Sequence, residues 1–246
     1  MQHYFVNQSL TVGQQLALPN NISHHFFDVL RSQENTKLEI VDDQQIVYLA
    51  SAVDSYNGIV KIEEQLNRQT NLPVGVTIIC GLAKQSKPEL IVQKATELGA
   101  AEIIFVPLER SIVKWGMKSA KKIVRLQEVA VSAAEQSHRN SIPKVRYLDD
   151  LTEVTKQRYD CSLIAYEEAA KLGEKAQLIQ SLESLKIGQT VSCVFGPEGG
   201  ISESEVKVLK DYGYQTVGLG PRILRTETAP LYFLSAVSVV LELNRT

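Results

Sequence analysis

The sequence predicts an α/β protein with a mostly parallel sheet, preceded by a small β-rich module. Three observations carry this expectation. From about residue 76 onward, short apolar runs alternate with amphipathic helical stretches, the pattern of strand–helix–strand units. Before residue 66, apolar and polar residues instead alternate singly around turn signals, as half-buried strands require. Between the two lies "LNRQTNLPVG", residues 66–75, whose polar and turn-forming residues read as a linker. The domains expected are residues 1–70 and 71–246.

In the first module, "TKLEIVDDQQIVYLASAV" alternates around an Asp42-Asp43 turn. "SYNGIVKIEE" carries Asn57-Gly58, the strongest short hairpin signal. One helix, "SHHFFDVLRSQ", is expected to interrupt the strands with Ser23 as its cap. Together these elements suggest a small β-barrel-like module.

In the second region "VTIICGLA" is a buried strand. "SKPELIVQKATELGA" is a helix with Pro88 in its first turn, Ile91, Ala95 and Leu98 on one face, and Gly99 as its stop. "EIIFVP" is the next strand, and "SAKKIVRLQEVAVSAAEQS" a long helix that turns Ile123, Leu126, Ala130 and Ala133 inward. "DCSLIAYEE", "TVSCVFGPEGG" and "YQTVGLGP" are further strand-to-loop transitions, separated and followed by helical segments. Ligands of such sheets bind beyond the carboxyl ends of strands, where these glycine loops fall.

Composition restricts the function. The chain has 246 residues, 44% hydrophobic and 22% charged, as ordinary globular proteins are. The start, "MQHYFVNQSL", has neither a basic nor an apolar signal region, and the longest apolar run, residues 229–241, is too short to span a bilayer. Cys80, Cys161 and Cys193 lie far apart in apolar segments, which reads as buried thiols in a reducing compartment, with no zinc spacing. A cytoplasmic protein without membrane or metal is expected. The net charge of −2 hides a basic middle: residues 110–146 carry nine Lys or Arg against two Asp or Glu. That asymmetry suits a localised polyanion site; a solvated helix face is the plainer alternative.

Three stretches concentrate chemistry. In "FGPEGGISESE", Ser202 and Glu205 form a capping box, so a helix starts after the glycines. Gly196, Gly199 and Gly200 let bare backbone approach a flat ligand. The Lys-Ser/Thr ending of a phosphate loop is absent, and so is G-x-G-x-x-G. In "VGLGPRILRTETAPL", Gly218, Gly220 and Pro221 end a strand, Thr226 or Thr228 is expected to cap the last helix, and Arg222 and Arg225 project from the loop. Pairing of both arginines with carboxylates such as Glu227 is the structural alternative. Two such loops, one helical crossover apart, are expected side by side. The third stretch joins "PLERSIVKW" and "AAEQSHRNSIPKV", which mix arginines with hydrogen-bonding side chains as RNA contacts do. Trp115 could stack on a base, although packing is its commoner role.

The series "TELGA", "ERSIVKW", "AAEQSHRNSIP", "FGPEGGISESE" and "LGPRILRTETA" resembles the motifs of the RsmE family, bacterial 16S ribosomal RNA methyltransferases that make N3-methyluridine. The likeness runs in order through the C-terminal two-thirds, and "HHFFDVLR" resembles the family's H-x-x-x-V-L-R through His25, Val29, Leu30 and Arg31. Gln2 and His3 stand where the family commonly has an arginine.

The resemblance implies a PUA-like β-barrel domain before a SPOUT-type methyltransferase domain with a C-terminal trefoil knot, acting as a homodimer on 16S rRNA of the 30S subunit. It implies S-adenosyl-L-methionine bound by Tyr166, Glu167, Phe195, Gly196, Pro197, Glu198, Gly199, Gly200, Leu219, Gly220, Ile223, Leu224, Arg225, Thr228 and Ala229. The methyl donor is already activated, so alignment is the main task, and charge developing on the uracil needs positive stabilisers. Arg225 and Arg139 are the candidates beside the base. Glu198 and Glu227 are candidates for general base or for pairing with the cofactor's ammonium group. His25, Arg31, Arg110, Lys114, Arg139 and Arg222 are the candidate RNA contacts. Two other classes stay open: a non-catalytic RNA-binding or assembly protein, and an enzyme for another adenine-containing ligand.

Overall fold

The structure, a computed structural model, describes residues 1–166 and 175–243. The chain divides into two compact units, one formed by Met1–Asn71 with Ala134–Ser141, the other by Leu72–Ala133 with the rest.

The first unit is a five-stranded sheet: β1 (Gln2–Phe5), β2 (Gln15–Ala17), β3 (Lys37–Val41), β4 (Val47–Asp54) and β5 (Ile59–Leu66), in the order β1-β3-β4-β5-β2. β1 pairs with β3 in parallel and the other neighbours are antiparallel. Both predicted turns form for the expected reasons. The Asp42 carboxylate accepts from the backbone N–H of Gln44 and Ile46, and Asp54 accepts from Asn57 in the turn that places Gly58 at φ +67°. Phe26, Leu38, Ile40, Ala50, Val60 and Ile62 are fully buried in its core.

The helix of this unit departs from expectation. α1 (Asn20–Ser23) starts after Pro19 and continues as a π-helical turn over His24–Val29. Ser23 therefore caps nothing. It packs beside Gly58, where a Cβ would come within 2.4 Å of the Ser23 hydroxyl.

Among the described residues the second unit holds six parallel strands: β6 (Gly75–Gly81), β7 (Glu102–Val106), β8 (Lys144–Tyr147), β9 (Cys161–Ala165), β10 (Thr190–Phe195) and β11 (Gln215–Val217), in the order β11-β9-β10-β6-β7-β8. Its α-helices among the described residues are α2 (Lys87–Glu97), α3 (Ser119–Gln136), α4 (Leu151–Thr155), α5 (Lys175–Glu183), α6 (Glu203–Asp211) and α7 (Thr228–Ser238), the last extended by a π-helical turn over Val239–Leu243. Ile78, Cys80, Phe105 and Cys193 bury into one core cluster, while their neighbours Ile79, Ile104 and Val194 bury into another. Burial on both faces explains why these strands read as continuous apolar runs. Cys80 and Cys193 are buried as expected, and Cys161 is half-buried.

Trp115 is a packing residue. It is 4% exposed, stacks on Tyr147 with centroids 5.7 Å apart, and has the Lys122 ammonium 5.5 Å from its ring. Stacking on a base is thereby corrected, because the ring face is already covered by protein.

Candidate functional site

A cleft of about 910 Å³ opens at the carboxyl ends of β9, β10 and β11. Each wall follows a strand directly. Tyr166 follows β9, Phe195–Ile201 close β10 and lead towards α6, and Leu219–Thr226 connect β11 to α7. The two glycine loops meet, but their strands are not neighbours, because β9 lies between β10 and β11. Tyr166 fills that gap, and its backbone N–H donates to the Val217 carbonyl at 3.1 Å.

The first loop is compact because its backbone touches itself and its surroundings. A Cβ on Gly196 would come within 2.8 Å of the Gly200 carbonyl carbon. One on Gly199 would come within 2.9 Å of the Arg110 Cβ, and Gly200 sits at φ +75°. Gly81, at the end of β6, approaches Pro197 so closely that a Cβ there would lie 2.6 Å from its ring. The capping box forms as predicted: Ser202 and Glu205 exchange side-chain and backbone hydrogen bonds at the start of α6. Glu205 also accepts from the backbone N–H of Glu109 at 2.7 Å.

The second loop is fastened to the first. The Thr226 hydroxyl donates to the Gly196 carbonyl at 2.8 Å. Neither Thr226 nor Thr228 caps α7, whose N-cap is Glu227 without a side-chain hydrogen bond. Thr226 is turned inward instead because the Gly196 carbonyl gives its hydroxyl a buried partner.

Charge is arranged around Lys87, the first residue of α2. Its ammonium lies 2.9 Å from Glu198 and 3.3 Å from Glu227. Glu198 also accepts from the backbone N–H of Lys84 at 3.2 Å. Burial alone would raise the Glu198 carboxyl, but hydrogen bonds from Lys87 and the backbone outweigh it and hold the group below its ordinary value. The hydrogen bond to Glu198 raises the Lys87 ammonium in turn. Sequence reading missed Lys87; nothing local distinguishes it from any lysine before a helix-starting proline.

Of the predicted cofactor residues, Tyr166, Phe195, Gly196, Pro197, Glu198, Gly199, Gly200, Leu219, Gly220, Ile223, Leu224, Arg225 and Ala229 line the cleft. Thr228 does not, and Glu227 reaches it through Lys87. Glu167 lies outside the described residues. Arg222 and Arg225 are exposed and, among the described residues, form no ion pair, so the alternative of pairing with Glu227 is not seen. Arg110 lies in the lining too, donating to the Gly199 carbonyl at 3.2 Å. Lys114 is exposed outside it.

Arg139, His25 and Arg31 belong to the first unit. Arg139 is 3% exposed, and burial lowers its guanidinium to about 10. Its carbonyl shares a 2.8 Å hydrogen bond with His3 Nε2. His25 is exposed, with Nδ1 2.8 Å from the Tyr4 hydroxyl, and Arg31 is exposed at φ +54°. The basic middle is therefore not one surface: Arg125 pairs with Glu89, Arg146 with Glu102, and Arg139 is buried.

Among the described residues one group has metal-like proximity, His3, Glu39 and His138 in the first unit. Both imidazoles lie 2.8 Å from Glu39 Oε2, and Arg68 donates to the same oxygen at 2.5 Å. The crowd of donors accounts for the cluster as a hydrogen-bonded ion pair.

Residues 70–238 match the family described as RNA methyltransferase domain. The whole chain is 38% identical over 253 residues to ribosomal RNA small subunit methyltransferase E of Bacillus subtilis, covering 100% of this chain and 99% of that protein. The protein of the same name from Synechocystis is 30% identical over 219 residues, or 89% of this chain and 71% of that one. Two solved structures are similar over nearly their full lengths. One is the methyltransferase E of Neisseria gonorrhoeae bound to S-adenosyl methionine, with TM-score 0.81, 29% identity and 98% of each chain covered. The other is a methyltransferase of Legionella pneumophila in complex with the same cofactor, with TM-score 0.82, 27% identity and 96% of each chain covered.

Proposed function

We infer the reaction from the family: the chain belongs to the ribosomal RNA small subunit methyltransferase E proteins. It transfers the methyl group of S-adenosylmethionine to 16S ribosomal RNA, and the position we propose is N3 of a uridine. The observation that carries this reading is the cleft itself, lined by glycine loops, apolar side chains and charged groups of both signs at the ends of parallel strands.

The residues present fit the cofactor. Gly196 and Gly199 have no space for a Cβ because the loop's own backbone and Arg110 occupy it, which fixes the loop as one wall of the cleft. Leu219, Ile223 and Leu224 give apolar cover for a flat base, and Glu198 supplies the negative charge that the ammonium of an amino-acid end requires. S-adenosylmethionine supplies an activated methyl on a sulfonium, so the protein's work is alignment and charge stabilisation. Arg225, exposed on the cleft wall, is the cation we assign to the negative charge that develops on the uracil carbonyls as N3 loses its proton. Glu198 is held as a carboxylate by Lys87 and is better suited to binding a cation than to accepting that proton.

Exposed Arg222 and Lys114 support contact with the RNA backbone, and the target base leaves its stack to reach the cleft. In this reading residues 71–246 are a SPOUT-type domain whose crossing loops belong to a trefoil knot. Residues 1–70 are a PUA-like barrel that presents His25 and Arg31 to RNA, and the enzyme works as a homodimer in the cytoplasm. Incubation with methyl-labelled cofactor and undermethylated 30S subunits, followed by mapping of the labelled nucleotide, tests the reaction. Label at uridine N3 is expected; label on another atom or on protein alone would overturn it.

A further inference from the structure

The Lys87 ammonium joins two loops that the sequence separates widely. Glu198 belongs to the loop after β10 and Glu227 precedes α7, yet both carboxylates lie within 3.3 Å of one Nζ atom. Lys87 itself opens α2, beyond the end of β6. A cation in a helix's first turn faces the positive end of the helix dipole and is disfavoured there. Two carboxylates reverse that local balance. All three side chains are partly buried, at 24% exposure for Lys87, 27% for Glu198 and 16% for Glu227, so the attraction is somewhat less screened than at an open surface.

The clamp has no counterpart in core packing. The apolar contacts that hold α2 come from Pro88, Ile91, Val92 and Ala95, and the loops have their own tie through Thr226 and Gly196. What Lys87 adds is control over where two carboxylates sit, one of them on the cleft wall. Without it, two negative groups drawn to one point would repel and spread.

We propose that Lys87 is a positioning residue of the methyl-transfer site, holding Glu198 and Glu227 together so that the two glycine loops keep the spacing the cofactor needs. The inference rests on the cofactor reading above and deepens it. Lys87 acts through the carboxylates, so its removal loosens cofactor binding first and leaves the alignment of the RNA base to follow.

The test uses the full-length protein with Lys87→Met and Lys87→Arg. Calorimetry with S-adenosylmethionine should show Lys87→Met binding at least about tenfold more weakly, with partial recovery in Lys87→Arg. Adding Glu227→Gln to Lys87→Met should weaken binding by less than the two single changes together, since the partners share one interaction. In transfer assays the loss should appear in the KM for cofactor more than in kcat. The acid limb of activity in Lys87→Met should move to higher pH as Glu198 loses its cation. Unchanged cofactor affinity in a folded Lys87→Met protein, or a loss that is additive with Glu227→Gln, would overturn the proposal. Failure of the wild-type protein to bind the cofactor would instead remove the cofactor reading on which it stands.

Discussion

Thr226 and Gly196, thirty residues apart, are joined by a 2.8 Å hydrogen bond from the threonine hydroxyl to the glycine carbonyl. The bond fastens the loop after β11 to the loop after β10 although β9 separates their strands. Thr226 is 8% exposed, so water cannot easily take its place. Thr226→Val keeps the shape and removes the donor, leaving a carbonyl without its partner. A stability loss of about 1–3 kcal/mol is expected, read as a lower thermal midpoint, together with weaker cofactor binding. Thr226→Ser should retain most of both. Equal midpoints for Thr226→Val and wild type would show that the two loops are held by something else.

The glycines of the first loop differ from glycines elsewhere in how much space a side chain would meet. Gly196→Ala sets a Cβ against Gly200 backbone, which has no flexible end to move. Gly188 has φ +85° but nothing within 4 Å of a Cβ. Gly188→Ala should therefore cost only the backbone strain, about 1 kcal/mol, while Gly196→Ala should destabilise more and abolish cofactor binding. Thermal unfolding and calorimetry on the two variants give the comparison, and a Gly196→Ala protein that binds normally contradicts the close-packed loop.

Arg225 and Arg222 share a loop and exposure but should separate by function. Arg225→Ala is expected to abolish methyl transfer while cofactor binding stays measurable. Arg222→Ala should weaken RNA binding and reduce the salt dependence of that binding by about one unit of slope, with kcat nearly preserved. Single-turnover rates and binding titrations at several salt concentrations distinguish them. An unchanged single-turnover rate in Arg225→Ala takes it out of the site.

The first unit should be acid-sensitive through Glu39. Burial alone would raise this carboxyl, but hydrogen bonds from Arg68, His138 and His3 outweigh it and hold the group at about 2, against an ordinary 4.5. A carboxylate with a depressed value stabilises the fold fully above the ordinary value, and that contribution fades as pH falls through about 2. Glu39→Gln should lower stability near neutrality by about 1–3 kcal/mol, since the donors converging on this buried group lose their charged acceptor. It should also flatten the slope of stability between pH 4.5 and 2. Hydrogen exchange of β3 amides across that range provides the measurement, and an identical slope in wild type and Glu39→Gln removes Glu39 as the cause.

Much of this protein is written locally. The alternation of strand and helix, the Asp42 and Gly58 turns, Pro88 in the first turn of α2 and the Ser202–Glu205 capping box all depend on residues within a few positions of one another. Their periodicity and capping chemistry act before any distant contact forms, so the sequence alone determines them. The sequence also marked the two glycine loops, because three glycines and a proline within five residues restrict what the backbone there can do. The tertiary structure decided what is next to what. Only strand order places β9 between β10 and β11, and only folding brings Lys87 to Glu198 across 111 positions. It also turned Trp115 and Arg139 inward, although their neighbours in sequence are basic and polar. Charge partners and burial are set by long-range packing, which a linear pattern of residue types does not encode.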